Sequence, residues 1–310
     1  MLKALTAGAL AWLIALCLPL TVLRTDASGT CQDDALWLSV EIDGSPVSMP
    51  LSDFLAGAVG GEMPLSYPDA ALEAQAIAAR TMVYRRLSDG SLHPSGAPVC
   101  TDPAHCMAWT DPSAFPAADE ARLRAAVAAT DSRIAVYADE PILAAFHAVS
   151  GGMTERAADV WGGDMPYLTN VYSPGEEDEA MYRTEHSFRA ADFARRIHSA
   201  YPDAELIGDP ASWFQIFDRS PAGGIRSISV GGVRVSGTAL RALLELPSTD
   251  FTVQTEEDSL TLTCTGWGHG VGMSQAGAAA MARAGYGAEE IIEYYYPGAV
   301  CITAQKDLTS

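Results

Sequence analysis

Cations are scarce in this 310-residue chain: 19 Lys and Arg stand against 39 Asp and Glu, a net charge of −20. Nucleic-acid phosphates are held by clustered cations, so the shortage argues against a nucleic-acid partner. It argues equally against a general attraction to anionic lipid. Several enzyme signatures are missing as well. There is no Gly-x-Gly-x-x-Gly dinucleotide fingerprint and no His-Glu-x-x-His metalloprotease pair. Ser150 sits in no Gly-x-Ser-x-Gly elbow. The glycine loop around residue 270 lacks the lysine of a phosphate loop, which removes nucleotide binding. No internal repeat or low-complexity tract occurs.

Hydrophobic residues make up 48% and charged residues 19%, an ordinary globular balance. Residues 4–23 are almost wholly apolar and uncharged, between Lys3 and Arg24. About 20 such residues span a bilayer, so the run reads as a signal anchor, with a cleaved signal peptide as the alternative. Either reading places the rest outside the cytoplasm, and the expected localisation is a single-pass membrane protein with an extracytoplasmic domain. The expected division is an anchor over 1–24, a polar linker over 25–35 and one domain over 36–310. Beyond the run lie Cys31, Cys100, Cys106, Cys264 and Cys301; an odd number leaves at least one without a disulfide partner.

Residues 36–42 alternate as a strand, with a turn at Asp43-Gly44. Ser52 is read as the cap of a short helix to Val59, stopped by Gly60-Gly61. The best helix covers 68–87, with Leu72, Ala76, Ala79 and Val83 on one stripe. Residues 88–116 form a long loop that needs a staple. A helix follows over 117–130, then strands over 133–137 and 142–149. Residues 175–180 read as an acidic loop, and Ser187 as the cap of a helix to Ala200. A hairpin turns at Gly231-Gly232. A helix over 238–245, a strand over 251–264 and helices over 275–285 and 288–296 complete the chain. Helices and strands do not alternate strictly, so the fold class is α+β: mixed helices and short antiparallel hairpins forming a substrate cleft, with an N-terminal transmembrane helix.

Five places carry candidate chemistry. Glu62, between a glycine pair and Met63-Pro64, has the setting of a general acid, although loop carboxylates mostly face water. Gln75 and Arg80 share a helix; Arg80 suits a substrate carboxylate held bidentately, or a plain salt bridge. Ser150 and Gly151 end a strand and offer hydrogen bonds to substrate oxygens. His269 stands among four glycines, where it serves substrate or the loop itself. His93, Cys100, His105 and Cys106 offer four N and S ligands within 14 residues, a closed set suited to structural zinc; a Cys100–Cys106 disulfide is the competitor.

Taken together, several motifs resemble the stage II sporulation protein D family, also called the SpoIID/LytB domain. They are Gly61-Glu62-Met63-Pro64, the alanine-rich helix through Gln75 and Arg80, Ser150-Gly151-Gly152-x-Thr154-Glu155, Val160-Trp161-Gly162, Pro166-Tyr167-Leu168, Gly268-His269-Gly270-Val271-Gly272-Met273-Ser274-Gln275 and Tyr295-Tyr296-Pro297-Gly298. The resemblance implies a lytic transglycosylase that cuts peptidoglycan glycan strands freed of stem peptides. Glu62 is then its catalytic acid/base, and Gln75, Arg80, Ser150, Gly151, Tyr167, His269 and Gln275 bind substrate. It also implies zinc at His93, Cys100, His105 and Cys106; members without the cysteines argue that zinc is not the catalyst. Implied partners are a cell-wall amidase and a membrane scaffold protein, acting in engulfment of the forespore. The LytB branch offers the rival expectation, a non-catalytic peptidoglycan-binding enhancer of an amidase.

Overall fold

The computed structural model describes residues 32–304. After a helical turn α1 (Gln32–Ala35), strand β1 (Trp37–Ile42) pairs antiparallel with β2 (Ser45–Pro50). Asp43 and Gly44 both take positive φ, the mirror-image turn that matches strand twist. Helix α2 (Leu51–Glu62) leads to the long α3 (Asp69–Asp89), and β3 (Val99–Cys100) joins the first sheet parallel to β1. Helix α4 (Ala117–Ala129) precedes β4 (Arg133–Tyr137), which is flanked by β5 (Glu140–Pro141) and by β14 (Val300–Thr303) from the chain's end. Strand β6 (Phe146–His147) pairs parallel with β13 (Met273–Ser274).

The remaining strands form two antiparallel sheets. One joins β7 (Arg183–Arg189), β12 (Ser259–Thr265) and β11 (Phe251–Thr255). The other joins β8 (Phe214–Arg219), β9 (Ile225–Val230) and β10 (Val233–Ser236). Helices α6 (Ala190–Ala200) and α7 (Gly237–Leu244) pack with them, and α5 (Ala157–Val160) is a single turn. Helices α8 (Gln275–Arg283) and α9 (Ala288–Tyr295) return to pack against α3.

Among the described residues there are two hydrophobic cores. The larger is built on α3 with α2, α4, β4, α8 and α9. The smaller gathers Phe193, Ile197, Trp213, Ile228, Leu240, Phe251 and Leu262. The expected stripe on α3 is buried, but burial continues round the helix through Ala71, Ala74, Ile77, Ala78 and Tyr84. Apart from the buried Arg80, the charged residues of the helix are left to its two ends, and alanine along the middle lets every neighbour approach.

Several expectations are corrected. Among the described residues no helix is long and apolar enough to cross a membrane; the longest, α3, carries Asp69, Glu73, Arg80, Arg85, Arg86 and Asp89. The apolar run 4–23 lies outside the described residues. The α+β class stands, but the N-terminal transmembrane helix and the single-pass membrane localisation are not supported. Within the expected linker, α1 is ordered structure with Asp33 buried. The glycine pair does not stop α2, which runs through Gly60 and Gly61 to Glu62. Ser187 lies in β7 and caps nothing; α6 begins three residues later. The expected strand 251–264 is a hairpin of β11 and β12, and 142–149 shortens to β6.

Candidate active site and metal centre

Glu62 is the last residue of α2. The glycines before it explain how its surroundings are built. A Cβ on Gly61 would stand 2.9 Å from the Ala108 carbonyl, and one on Gly60 would stand 2.7 Å from the Phe115 ring. A Cβ on Gly57 would enter the Trp109 indole. The segment 108–115 thus lies directly on a glycine face of α2, the close approach that only glycine permits. The Ala108 N–H is thereby brought to Glu62 Oε1, to which it donates at 2.5 Å. Burial pushes the Glu62 carboxyl above the usual carboxylate range, against the opposing pull of the Ala108 bond and of the Gln275 side chain.

Glu62 opens onto a groove of about 450 Å³ with His105, Cys106, Phe146, His147, Trp161 and His269 on its walls. Trp161 is 46% exposed, and its ring lies 5.1 Å from that of His269. The glycine loop runs along the 145–149 segment: Trp267 and Val149 exchange backbone hydrogen bonds, and Met273 N–H donates to Ala145 O. His269 Nδ1 accepts from Val271 N–H at 3.0 Å, which fixes the neutral tautomer. Burial, with Arg241 nearby, pushes His269 down to about 4. His147 donates through Nδ1 to Val271 O, and burial, with His269 close by, pushes it to about 3. Both imidazoles are neutral near pH 7.

The other candidate substrate residues are placed differently. Arg80 is wholly buried and sends all five of its N–H donors to fixed acceptors: Asp33 through Nε (2.9 Å) and Nη2 (2.7 Å), Val127 O, Thr130 Oγ1 and Arg133 O. It has none left for a substrate carboxylate. Ser150 is also buried; its N–H and hydroxyl both donate to Glu176. Gly151 borders a smaller adjoining cavity with Glu155, Asp250 and Trp267. The Tyr167 hydroxyl accepts from Leu143 N–H, supporting the groove wall from behind. Gln75 and Gln275 are both buried and meet each other at 3.4 Å beside Glu62.

Sequence reasoning passed over Glu176 as part of an exposed acidic loop. It is fully buried, held by Ser150 and Ser173, with Ser173 in turn on Tyr295. Ser150, the first residue of the Ser-Gly-Gly turn, was its available signal. Trp161 was visible only within a motif, and the Ala108 N–H had no signal in side-chain identity.

His93, Cys100, His105 and Cys106 converge, with all four ligand atoms within 4.8 Å of one another. Cys106 Sγ lies 3.4 Å from His93 Nε2 and from His105 Nδ1, and Cys100 Sγ lies 3.8 Å from His105 Nδ1. A zinc tetrahedron with ordinary Zn–S and Zn–N bonds has edges of about 3.3–3.8 Å, so the set fits zinc. Both cysteines are free thiols, and Arg86 reaches Cys106 Sγ at 3.8 Å.

The Stage II sporulation protein family pattern matches residues 46–137, the stretch that holds Glu62, α3 and the four metal ligands. The chain is 31% identical over 259 residues to Stage II sporulation protein D of Bacillus subtilis strain 168, covering 81% of this chain and 74% of that one. The chain belongs to the stage II sporulation protein D family. The Bacillus amyloliquefaciens protein of the same name is 30% identical over the same shares. An uncharacterised protein of Brachyspira hyodysenteriae is 28% identical over 80% of this chain and 65% of its own length. Family membership is consistent with a role in sporulation and with a cell-wall-active enzyme. The whole groove-forming unit lies within a chain related to stage II sporulation protein D over most of its length.

Proposed function

We propose that the chain is a lytic transglycosylase that cuts peptidoglycan glycan strands between N-acetylmuramic acid and N-acetylglucosamine, with Glu62 as acid and then base. The observation that carries this reading is the state of Glu62: a desolvated carboxyl on an open groove, and the one carboxylate among that groove's lining residues. Hydrolytic glycosidases use two carboxylates, one of them to activate water or to attack. With a single acid, the substrate has to provide the nucleophile. Protonated Glu62 donates to the glycosidic oxygen as the C1–O bond breaks. The resulting carboxylate takes the proton of the muramyl C6 hydroxyl as that oxygen closes on C1, leaving a 1,6-anhydro end and a restored acid.

The surroundings suit this chemistry. The exposed Trp161 ring offers a stacking face for a sugar. Neutral His269 and His147 add no cation that would make Glu62 a stronger acid. Four protein ligands complete a zinc shell, so a metal at His93, Cys100, His105 and Cys106 supplies structure to the loop that ends at Ala108. Stem-free glycan is the product of an amidase, which makes a stem-stripping amidase the expected partner. The test is mass analysis of products from stem-free glycan. Anhydro ends, lighter by one water than hydrolytic ends, are expected from the wild type and not from Glu62→Gln. Hydrolytic ends, or no cleavage with retained glycan binding, would overturn the reading.

A further inference from the structure

The turn between β8 and β9 brings oxygen atoms together. Gly223 and Gly224 follow one another there. A Cβ on Gly223 would stand 2.8 Å from Asp250 Oδ2. One on Gly224 would run into Glu155 Oε1 and stand 2.7 Å from Thr249 Oγ1. A Cβ on Gly151 would stand 3.5 Å from the same Asp250 Oδ2. Bare backbone at these points lets two carboxylates and a hydroxyl pack closely around one turn. Gly151, Glu155, Thr249 and Asp250 line one small cavity of about 30 Å³, bordered by the 266–270 loop.

The charges around this cavity are unevenly matched. Asp250 Oδ1 accepts from Arg219 at 3.0 Å, and Asp159 pairs with Arg226 at 2.8 Å. Glu155 has no such cation. It is 7% exposed, and Ser220 Oγ (2.7 Å) and Gly224 N–H (3.0 Å) both donate to its Oε1. Its Oε2 is buried with no hydrogen-bond partner among the described residues. Buried charges are paired or coordinate metals. A carboxylate with one oxygen pinned and the other left over has the form of a cation ligand.

The donor set selects the ion. Carboxylate, hydroxyl and backbone oxygens suit a hard cation. Magnesium keeps several of its waters when bound, and a cavity this small holds no hydrated ion. Calcium takes oxygen ligands at about 2.3–2.6 Å in irregular geometry. We propose that Glu155 Oε2 and Asp250 Oδ2 bind a calcium ion in this cavity, apart from the zinc set at His93, Cys100, His105 and Cys106. Arg219 offsets one of the two carboxylates and leaves a net negative charge for the ion. Gly268 and His269 line both this cavity and the Glu62 groove, so the ion braces one groove wall from behind. The site stands independently of the acid/base role of Glu62.

The experiment is terbium luminescence on the zinc-supplemented full chain. Terbium(III) is a hard, oxygen-seeking stand-in for calcium, and a nearby indole sensitises its emission. Trp267 lines the cavity. The wild type should give saturable tryptophan-sensitised emission that calcium displaces. Calcium should also raise the thermal midpoint increasingly with its concentration. Both effects should be lost in Glu155→Gln, whose amide oxygen still accepts from Ser220 and Gly224. No saturable emission from the wild type overturns the proposal, as does undiminished emission from folded Glu155→Gln. If Glu155→Gln does not fold, Trp267→Phe decides. Its emission should fall to that of free terbium, and emission that persists places the ion elsewhere and overturns the assignment.

Discussion

The Arg80 guanidinium and the Glu62 carboxylate belong to neighbouring helices of the same core, and they are treated in opposite ways. Arg80 meets an acceptor with each of its five donors, on α1, α4 and β4. Glu62 receives the Ala108 N–H and is otherwise left facing a groove. Burying a charge is costly unless it is paired, and a cation whose donors are all taken has nothing to offer a ligand. An ionisable group kept partly desolvated but unsaturated retains both its altered acidity and its spare hydrogen-bonding capacity. Saturation, more than residue type or motif, separates the structural charge from the chemical one.

That contrast can be broken from either end. The largest effect is expected at Glu62: Glu62→Gln should lower the release of anhydro ends by about 10²–10⁴-fold, with little change in denaturation midpoint. Activity of the wild type should be lost as pH rises through the raised Glu62 value, because the acid must begin protonated. A rate that instead rises with pH across that range would assign Glu62 the role of base alone. Arg80→Met should do the reverse. Removing one member of a buried pair costs about 3–5 kcal/mol, to be read by chemical denaturation, with glycan binding by the remaining folded fraction unchanged. Retained stability in Arg80→Met would show that the Asp33 pair is dispensable.

Cys100→Ser tests the loop that carries Ala108. Metal content should fall from near one equivalent, and thermal stability should drop more than the residual rate per folded molecule. A disulfide between Cys100 and Cys106 in purified protein, found by mass spectrometry, would contradict the ligand geometry. A smaller stability effect than that of Arg80→Met is expected for Gly61→Ala, where the added Cβ meets Ala108 backbone at 2.9 Å. Overpacking of this kind costs about 1–3 kcal/mol, yet activity should fall further than stability because the Ala108 N–H is displaced from Glu62. Equal losses in both would mean that the contact serves packing alone.

Much of this was readable beforehand, for local reasons. Period-2 and period-3.6 patterns and the Asp-Gly and Gly-Gly turns placed β1, β2, α3 and the β9–β10 hairpin, because backbone preference acts within a few residues. The metal set was readable because four ligands fall within one loop. What escaped was tertiary in origin. Gly60 and Gly61 look like a helix stop, yet they remain helical because segment 108–115 needs their missing side chains. Glu176 looks solvated among Glu177, Asp178 and Glu179, but Ser150, 26 residues away in sequence, joins the nearby Ser173 in holding it in the interior. Arg80 looked available because its partner Asp33 sits in what reads as a linker.

The glycine face of α2 also has an evolutionary consequence. Gly57, Gly60 and Gly61 each touch a different part of 108–115, at the Trp109 ring, the Phe115 ring and the Ala108 carbonyl. A larger residue at any of the three displaces that segment, and a displaced segment loses the Ala108 bond to Glu62. Drift at these positions is therefore not independent of drift some fifty residues later. A lineage can change one side only by changing the other, and the two stretches are inherited as a single unit.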